Sequence, residues 1–199
     1  MKEVPHGEIV TAEQELIEEG MPEEEIVKHC DLHSAAMKNI ISEEHDFSDL
    51  HKAHPINTFM NENKFINRRI EEYNSLVNNA DPNDEDEFKS IEKLKELFRD
   101  LTDLDKHYQR KENLVFSYME KYEITGPPKV MWAKHDEIRS FLKNVNETLR
   151  ELESPKVSDI KALAEFTLDK TIELISEMII KEEKILLPMC YDIFTEGDW

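Results

Sequence analysis

Three carboxylates in this sequence fall on helical seams that are otherwise apolar. At 100° per residue, Glu62 lies within about 40° of Ile66 and is flanked by Phe59, Ile70 and Tyr73. Glu112 lies about 40° from Tyr108, inside the stripe that runs from Leu104 to Val115. Glu182 falls between Ile175, Ile179 and Leu186. An isolated carboxylate in such a place is costly unless it is paired or bound to a metal. Three histidines, His54, His107 and His135, sit near the same ends of three different helices, at the shoulders of the seams. Imidazole and carboxylate together inside a four-helix bundle make the donor set of a di-iron or di-manganese site. The carboxylates bridge and neutralise the cations, and the imidazoles leave positions open for a small ligand. The competing reading pairs each acid with a nearby cation, for which Lys64, Arg110, Lys111 and Lys181 are placed, and leaves the histidines as satisfied core or surface groups.

Cys30 and His33 form a second candidate. At i, i+3 they share one helix face and can take one metal or a haem iron between them. Otherwise Cys30 is a small core hydrophobe and His33 a core polar group. Cys190, just past Pro188, reads as packing, and His6, His29, His45 and His51 lie in polar stretches. No glycine-rich phosphate loop, Ser-His-Asp set or Cys-x-x-Cys motif is visible.

The elements that must position these groups are helices. A short one over 8–20 ends at Gly20, and Pro22 with Glu23, Glu24 and Glu25 opens a second whose seam is Ile26, Cys30, His33, Met37 and Ile40. After a polar connector over 42–53, His54-Pro55 starts a helix running to about 78. The turn-forming NNADPNDEDE follows it. Further helices are predicted over about 87–122, 129–153 and from 157, separated by ITGPP and Ser154-Pro155. Period-2 alternation is absent. The expected fold is all-α, an up-down-up-down four-helix bundle over 51–199 preceded by an N-terminal helical hairpin module over 1–50. A faint repeat relates Lys111-Glu112-Asn113-Leu114-Val115-Phe116 to Glu182-Glu183-Lys184-Ile185-Leu186-Leu187, and so implies two helix hairpins related by a pseudo-two-fold. Periodicity turns Glu182 inward, whereas the repeat aligns Glu183 with Glu112, so both are carried as candidates.

Composition bounds the function. In 199 residues, 45 acids against 25 bases give a net charge of −20, which repels phosphate and argues against nucleic acid and anionic membranes. Four glycines and eight prolines suit long helices. No apolar run nears the ~20 residues of a membrane span. The acidic N-terminus is unlike a signal peptide, and two cysteines make no disulfide framework. The expected setting is the cytoplasm.

With these residues assembled, the chain resembles the hemerythrin-like, or HHE cation-binding, domain family. The matching pieces are His54, His107 through Glu112 to Phe116, His135-Asp-Glu-Ile-Arg, and Lys181-Glu182-Glu183 through Pro188. Residues 19–26 with Cys30-Asp-Leu-His33 resemble the N-terminal module of domain-of-unknown-function family 438, and Trp132 and Trp199 fit as well. The resemblance implies a non-haem centre, with two iron ions or another divalent metal. Its ligands would be His54, His107, Glu112, His135 and one of Glu182 and Glu183, with Glu62 added on its seam position. Two positions depart from the pattern. Met178 stands where the second His-plus-carboxylate motif begins with histidine. His107 and Glu112 are five residues apart, whereas the commoner spacing of four lands on Lys111. A site short of one histidine holds one iron, takes a different metal or borrows a ligand, which Cys30 or His33 supplies if the N-terminal helix caps the bundle.

The function this implies is binding or sensing of oxygen, nitric oxide or redox state, rather than turnover. Output would pass to a PAS-type or other signalling partner, and a homodimer is a further expected partner state. The alternatives are a haem-binding sensor using Cys30 or His33, and a metal-free helical interaction module whose seam acids are salt-bridged.

Overall fold

The computed structural model describes Gly20 and residues 47–78, 87–152 and 161–199. No strand occurs among the described residues, and the predicted all-α class is observed. The predicted N-terminal hairpin lies outside the described residues, apart from Gly20. That glycine sits in a turn at φ 85°, a left-handed backbone that costs glycine nothing.

Helix α1 is Pro55–Asn78. A proline in its first turn needs no N–H partner, and Phe59, Ile66, Ile70 and Tyr73 recur at helical spacing on its buried side. Helix α2 is Glu87–Leu101, with Ile91, Leu94, Leu97, Phe98 and Leu101 buried. The next stretch comprises α3 at Leu104–Arg110, a π-helical turn at Lys111–Val115 and α4 at Phe116–Lys121. Helix α5 is Gly126–Glu151, and it takes Pro127 and Pro128 into its first turn, where their missing N–H groups are harmless. The last stretch passes through a π turn at Ala164–Leu168, α6 at Asp169–Lys181, a π turn at Glu182–Leu186 and α7 at Leu187–Ile193.

Two predicted helices are therefore less uniform than their apolar periodicity suggests. The helix expected over 87–122 is broken at Thr102 and Asp103, where the amides of Thr102 and Asp103 bond back only three residues, to Arg99 and Asp100. The Thr102 hydroxyl also donates to the Arg99 carbonyl at 2.5 Å and so competes for the helical acceptor. The π turns add further departures, on which the site depends.

Packing divides the chain into two compact units. One gathers the described residues within Met1–Met60, Tyr108–His135 and Glu177–Trp199; the other gathers those within Asn61–His107 and Asp136–Ser176. In the second unit, Tyr73 packs edge-on against Phe98 while Glu62 meets His107, so α1 and the α2–α3 stretch run antiparallel. Asn146 donates to the Phe98 carbonyl and Arg139 pairs with Asp105, which makes α5 antiparallel to that stretch in turn. The Tyr73 hydroxyl donates to Asp169 at 2.6 Å and brings in α6; burial and that neighbouring carboxylate hold the phenol well above its ordinary pKa. This is a four-helix core in alternating directions.

In the first unit, Lys111 pairs with Glu182, Tyr118 packs on Phe194 and Lys121 pairs with Asp198. The rising numbers on both sides show the 111–121 and 182–198 stretches running parallel, as alternation requires. Asp198 closes the end of this unit. It accepts from Lys121, the Tyr122 hydroxyl and both the amide and the hydroxyl of Thr195, and the Lys121 hydrogen bond above all holds its carboxyl far below the usual range.

Helix α4 ends in a Schellman motif: Ile124 N–H reaches the Met119 carbonyl and Glu123 N–H the Glu120 carbonyl. The left-handed position belongs to Glu123, at φ 63°. A side chain there strains the backbone in a place that glycine fills freely. Glu123→Gly is therefore expected to raise the unfolding free energy by about 1 kcal/mol. Urea denaturation monitored by circular dichroism measures it, and an unchanged or lower midpoint would contradict the assignment.

Candidate metal centre

An α-helix could not bury two consecutive charged residues on one narrow seam. The π turn at Lys111–Val115 can, because its backbone bond runs from Phe116 N–H to the Lys111 carbonyl, five residues back, and inserts an extra residue into the seam. Lys111 is 0% exposed and Glu112 6%. The five-residue step from His107 to Glu112 is thereby accommodated, since both side chains are buried. The same device recurs at Glu182–Leu186, where Leu187 N–H reaches the Glu182 carbonyl. The two π turns coincide with the two copies of the sequence repeat.

In the first unit, Glu112 Oε1 lies 2.8 Å from His135 Nδ1, and His135 is fully buried. The imidazole stacks on the Tyr108 ring at 3.9 Å and 8°, and lies parallel to Phe116 at 5.9 Å. One position before Glu112, the Lys111 ammonium pairs with the Glu182 carboxylate, which is 1% exposed, and lies 4.8 Å from the Tyr108 ring centre. Glu183 is only half-buried, and Met178 is buried one turn before Glu182. In the second unit, Glu62 Oε2 lies 2.6 Å from His107 Nδ1, with the carboxylate part-exposed and the imidazole buried.

The hydrogen bonds set the chemistry of the rings. A carboxylate can only accept, so His107 and His135 carry their protons on Nδ1, and in the neutral ring Nε2 keeps the lone pair. This is the arrangement in which a second group orients a metal-binding imidazole. His54 is the opposite case. Its Nδ1 accepts the backbone N–H of Ile56 at 3.2 Å as a cap on α1, which puts the proton of the neutral ring on Nε2. It packs 4.8 Å from the Trp199 ring, and partial burial lowers its pKa.

The candidate residues thus fall into a buried Glu112–His135 pair with Lys111–Glu182 beside it in sequence, a Glu62–His107 pair, and a capping His54. Cys30 and His33 lie outside the described residues. Among the described residues, no group of three or more His, Cys, Asp and Glu side chains is arranged to hold a metal ion. The two imidazole–carboxylate pairs have the donor chemistry of a metal ligand set. Glu182 is paired with an ammonium instead of an imidazole. Two features escaped the apolar pattern. Lys111, offered by the sequence only as a cation near a seam acid, is completely buried beside Glu112, and Asn63, beside Glu62, is wholly buried.

Imidazole–carboxylate pairs inside an all-α fold of alternating helices define a class, that of the helical cation-binding modules. Residues 54–190 match the family described as Hemerythrin HHE cation binding domain, and the chain belongs to it. Residues 1–43 match a family of unknown function, DUF438. Comparison with curated proteins finds no match. No helix among the described residues is long and apolar enough to cross a membrane.

Asn63 keeps both side-chain amide atoms buried without a hydrogen-bond partner among the described residues. Such a group costs about 1–3 kcal/mol. Asn63→Leu, similar in shape, is expected to stabilise the chelator-treated protein by about 1 kcal/mol, measured by urea unfolding. A loss of stability would show that the amide is satisfied in solution.

Proposed function

We propose that this chain is a non-haem iron module that binds oxygen or nitric oxide and reports ligand or redox state, without turnover of a substrate. The observation that supports it best is the buried Glu112–His135 pair, an acid and a base withdrawn from water where an apolar contact would be cheaper. Bound iron supplies a redox-active centre with a position open to a diatomic ligand.

The chain's own residues do the rest. Glu112 and Glu62 each hold an imidazole by its Nδ1 proton and so present Nε2 as the donor atom of His135 and His107. Two such pairs offer donors for as many as two ions, the number the family resemblance suggests. Tyr108 covers one face of the His135 ring and keeps water from it. His54 joins the donor set by surrendering its cap, and Glu183 by turning inward from its half-buried position. A second reading, a metal-free helical interaction module, draws on the Lys111–Glu182 ion pair, which balances one seam acid with no metal.

Metal analysis of protein prepared without oxygen separates the two. Bound iron or manganese is expected, removable by a chelator, with a visible spectrum that changes on adding nitric oxide. Glu112→Ala is expected to weaken metal binding about 10–100-fold by releasing the His135 ring, and His135→Ala to weaken it further. Native protein free of metal, with a melting temperature indifferent to chelator, would establish the second reading.

A further inference from the structure

Lys111 and Glu182 are the first residues of two π turns, and they occupy equivalent positions in the two copies of the repeat. Their side chains meet each other. Residues equivalent by a pseudo-two-fold that also touch lie at its axis, where like meets like. Two acids facing there would need a cation between them, and two lysines an anion. This chain has one of each, both almost completely buried.

We propose that the Lys111 ammonium is a built-in substitute for a metal ion at Glu182, which closes a divalent-cation position that a carboxylate at 111 would open. The charge argument is local. Glu182 is 1% exposed, and a carboxylate so far from water requires a positive partner. The ammonium provides it and leans on the Tyr108 ring face, which favours a cation as well. Met178, buried one helical turn before Glu182 where a histidine would add a second donor, offers no hard donor, which favours an ammonium over a hard metal ion as the partner of Glu182. Glu182 is on this view a structural counter-ion, and metal binding is left to the imidazole–carboxylate pairs. The inference deepens the proposed cation-binding function by limiting how many ions the native chain holds, and it rests on that reading only for which residues bind the native metal.

The test uses the full chain and manganese(II) as probe. In chelator, Lys111→Met is expected to lower the melting temperature by about 10 °C, because it strands a buried carboxylate. The double variant Lys111→Met/Glu182→Met is expected to recover most of that loss. Lys111→Glu is expected to bind an additional equivalent of manganese over wild type in equilibrium dialysis, and to melt higher with manganese than in chelator. Should it fail to fold in chelator, refolding in manganese replaces the melt, and recovery there supports the proposal. Lys111→Met melting with wild type in chelator, or Lys111→Glu taking up no more manganese than wild type, overturns it. Wild type without any metal defeats the proposed function, yet leaves this inference standing if Lys111→Glu gains its ion.

Discussion

A carboxylate withdrawn from water must find a positive charge or a hydrogen-bond donor, and the interior of this protein is arranged around that requirement. Three seam acids meet it in related ways. Glu112 accepts a hydrogen bond from His135 Nδ1, the part-exposed Glu62 accepts one from His107 Nδ1, and Glu182 pairs with the ammonium of Lys111. Burying charge of this kind adds little to net stability and exacts a heavy penalty if one partner is lost. Its return is specificity. Each pair joins residues far apart in the chain, so helices that would otherwise slide along apolar stripes have one register in which every buried charge is answered.

The same bookkeeping explains which histidines resemble metal donors. Imidazole has two nitrogens, and whatever engages one decides what the other can do. A carboxylate on Nδ1 leaves His107 and His135 with a lone pair on Nε2. A backbone N–H on Nδ1 leaves His54 with a proton there. Three residues of one type, placed at similar helix ends by the sequence, thus divide into two chemical roles through their nearest neighbours.

Much of this architecture was legible beforehand. The apolar spacings of α1, α2, α5 and α6 mark their buried faces, because burial of Leu, Ile and Phe dominates and recurs with the helix period. Glu62, on its seam by the same count, keeps part of its carboxylate in solvent, whereas the inward turn of Glu112 and Glu182 followed from angular position alone. The break at Thr102 did not, since it depends on a hydroxyl competing for one carbonyl. Nor did the joint burial of Lys111 and Glu112: a uniform 100° step sets these two neighbours too far apart for one narrow seam, and only an extra residue in the turn brings both inside. Asn63 was hidden for a different reason, as an amide on a helix gives no sign of whether its seam is wet or dry. The repeat at 111–116 and 182–187 was the available clue, because it marked the two π turns that carry the buried charges, though not the third at Ala164–Leu168.

Those π turns also bear on how such a chain can change. A π turn is what an α-helix becomes when it absorbs a single inserted residue without losing its ends. Removing a residue between Lys111 and Val115 would restore α geometry there while leaving α3 and α4 free to keep their own seams. The local order of inward side chains would shift by a position, however, and exchange which of two neighbours faces the interior. In this fold, therefore, an insertion or deletion within a helix acts less like damage to the frame than like a dial, and it can reset the charge in the core without replacing any of the residues that line it.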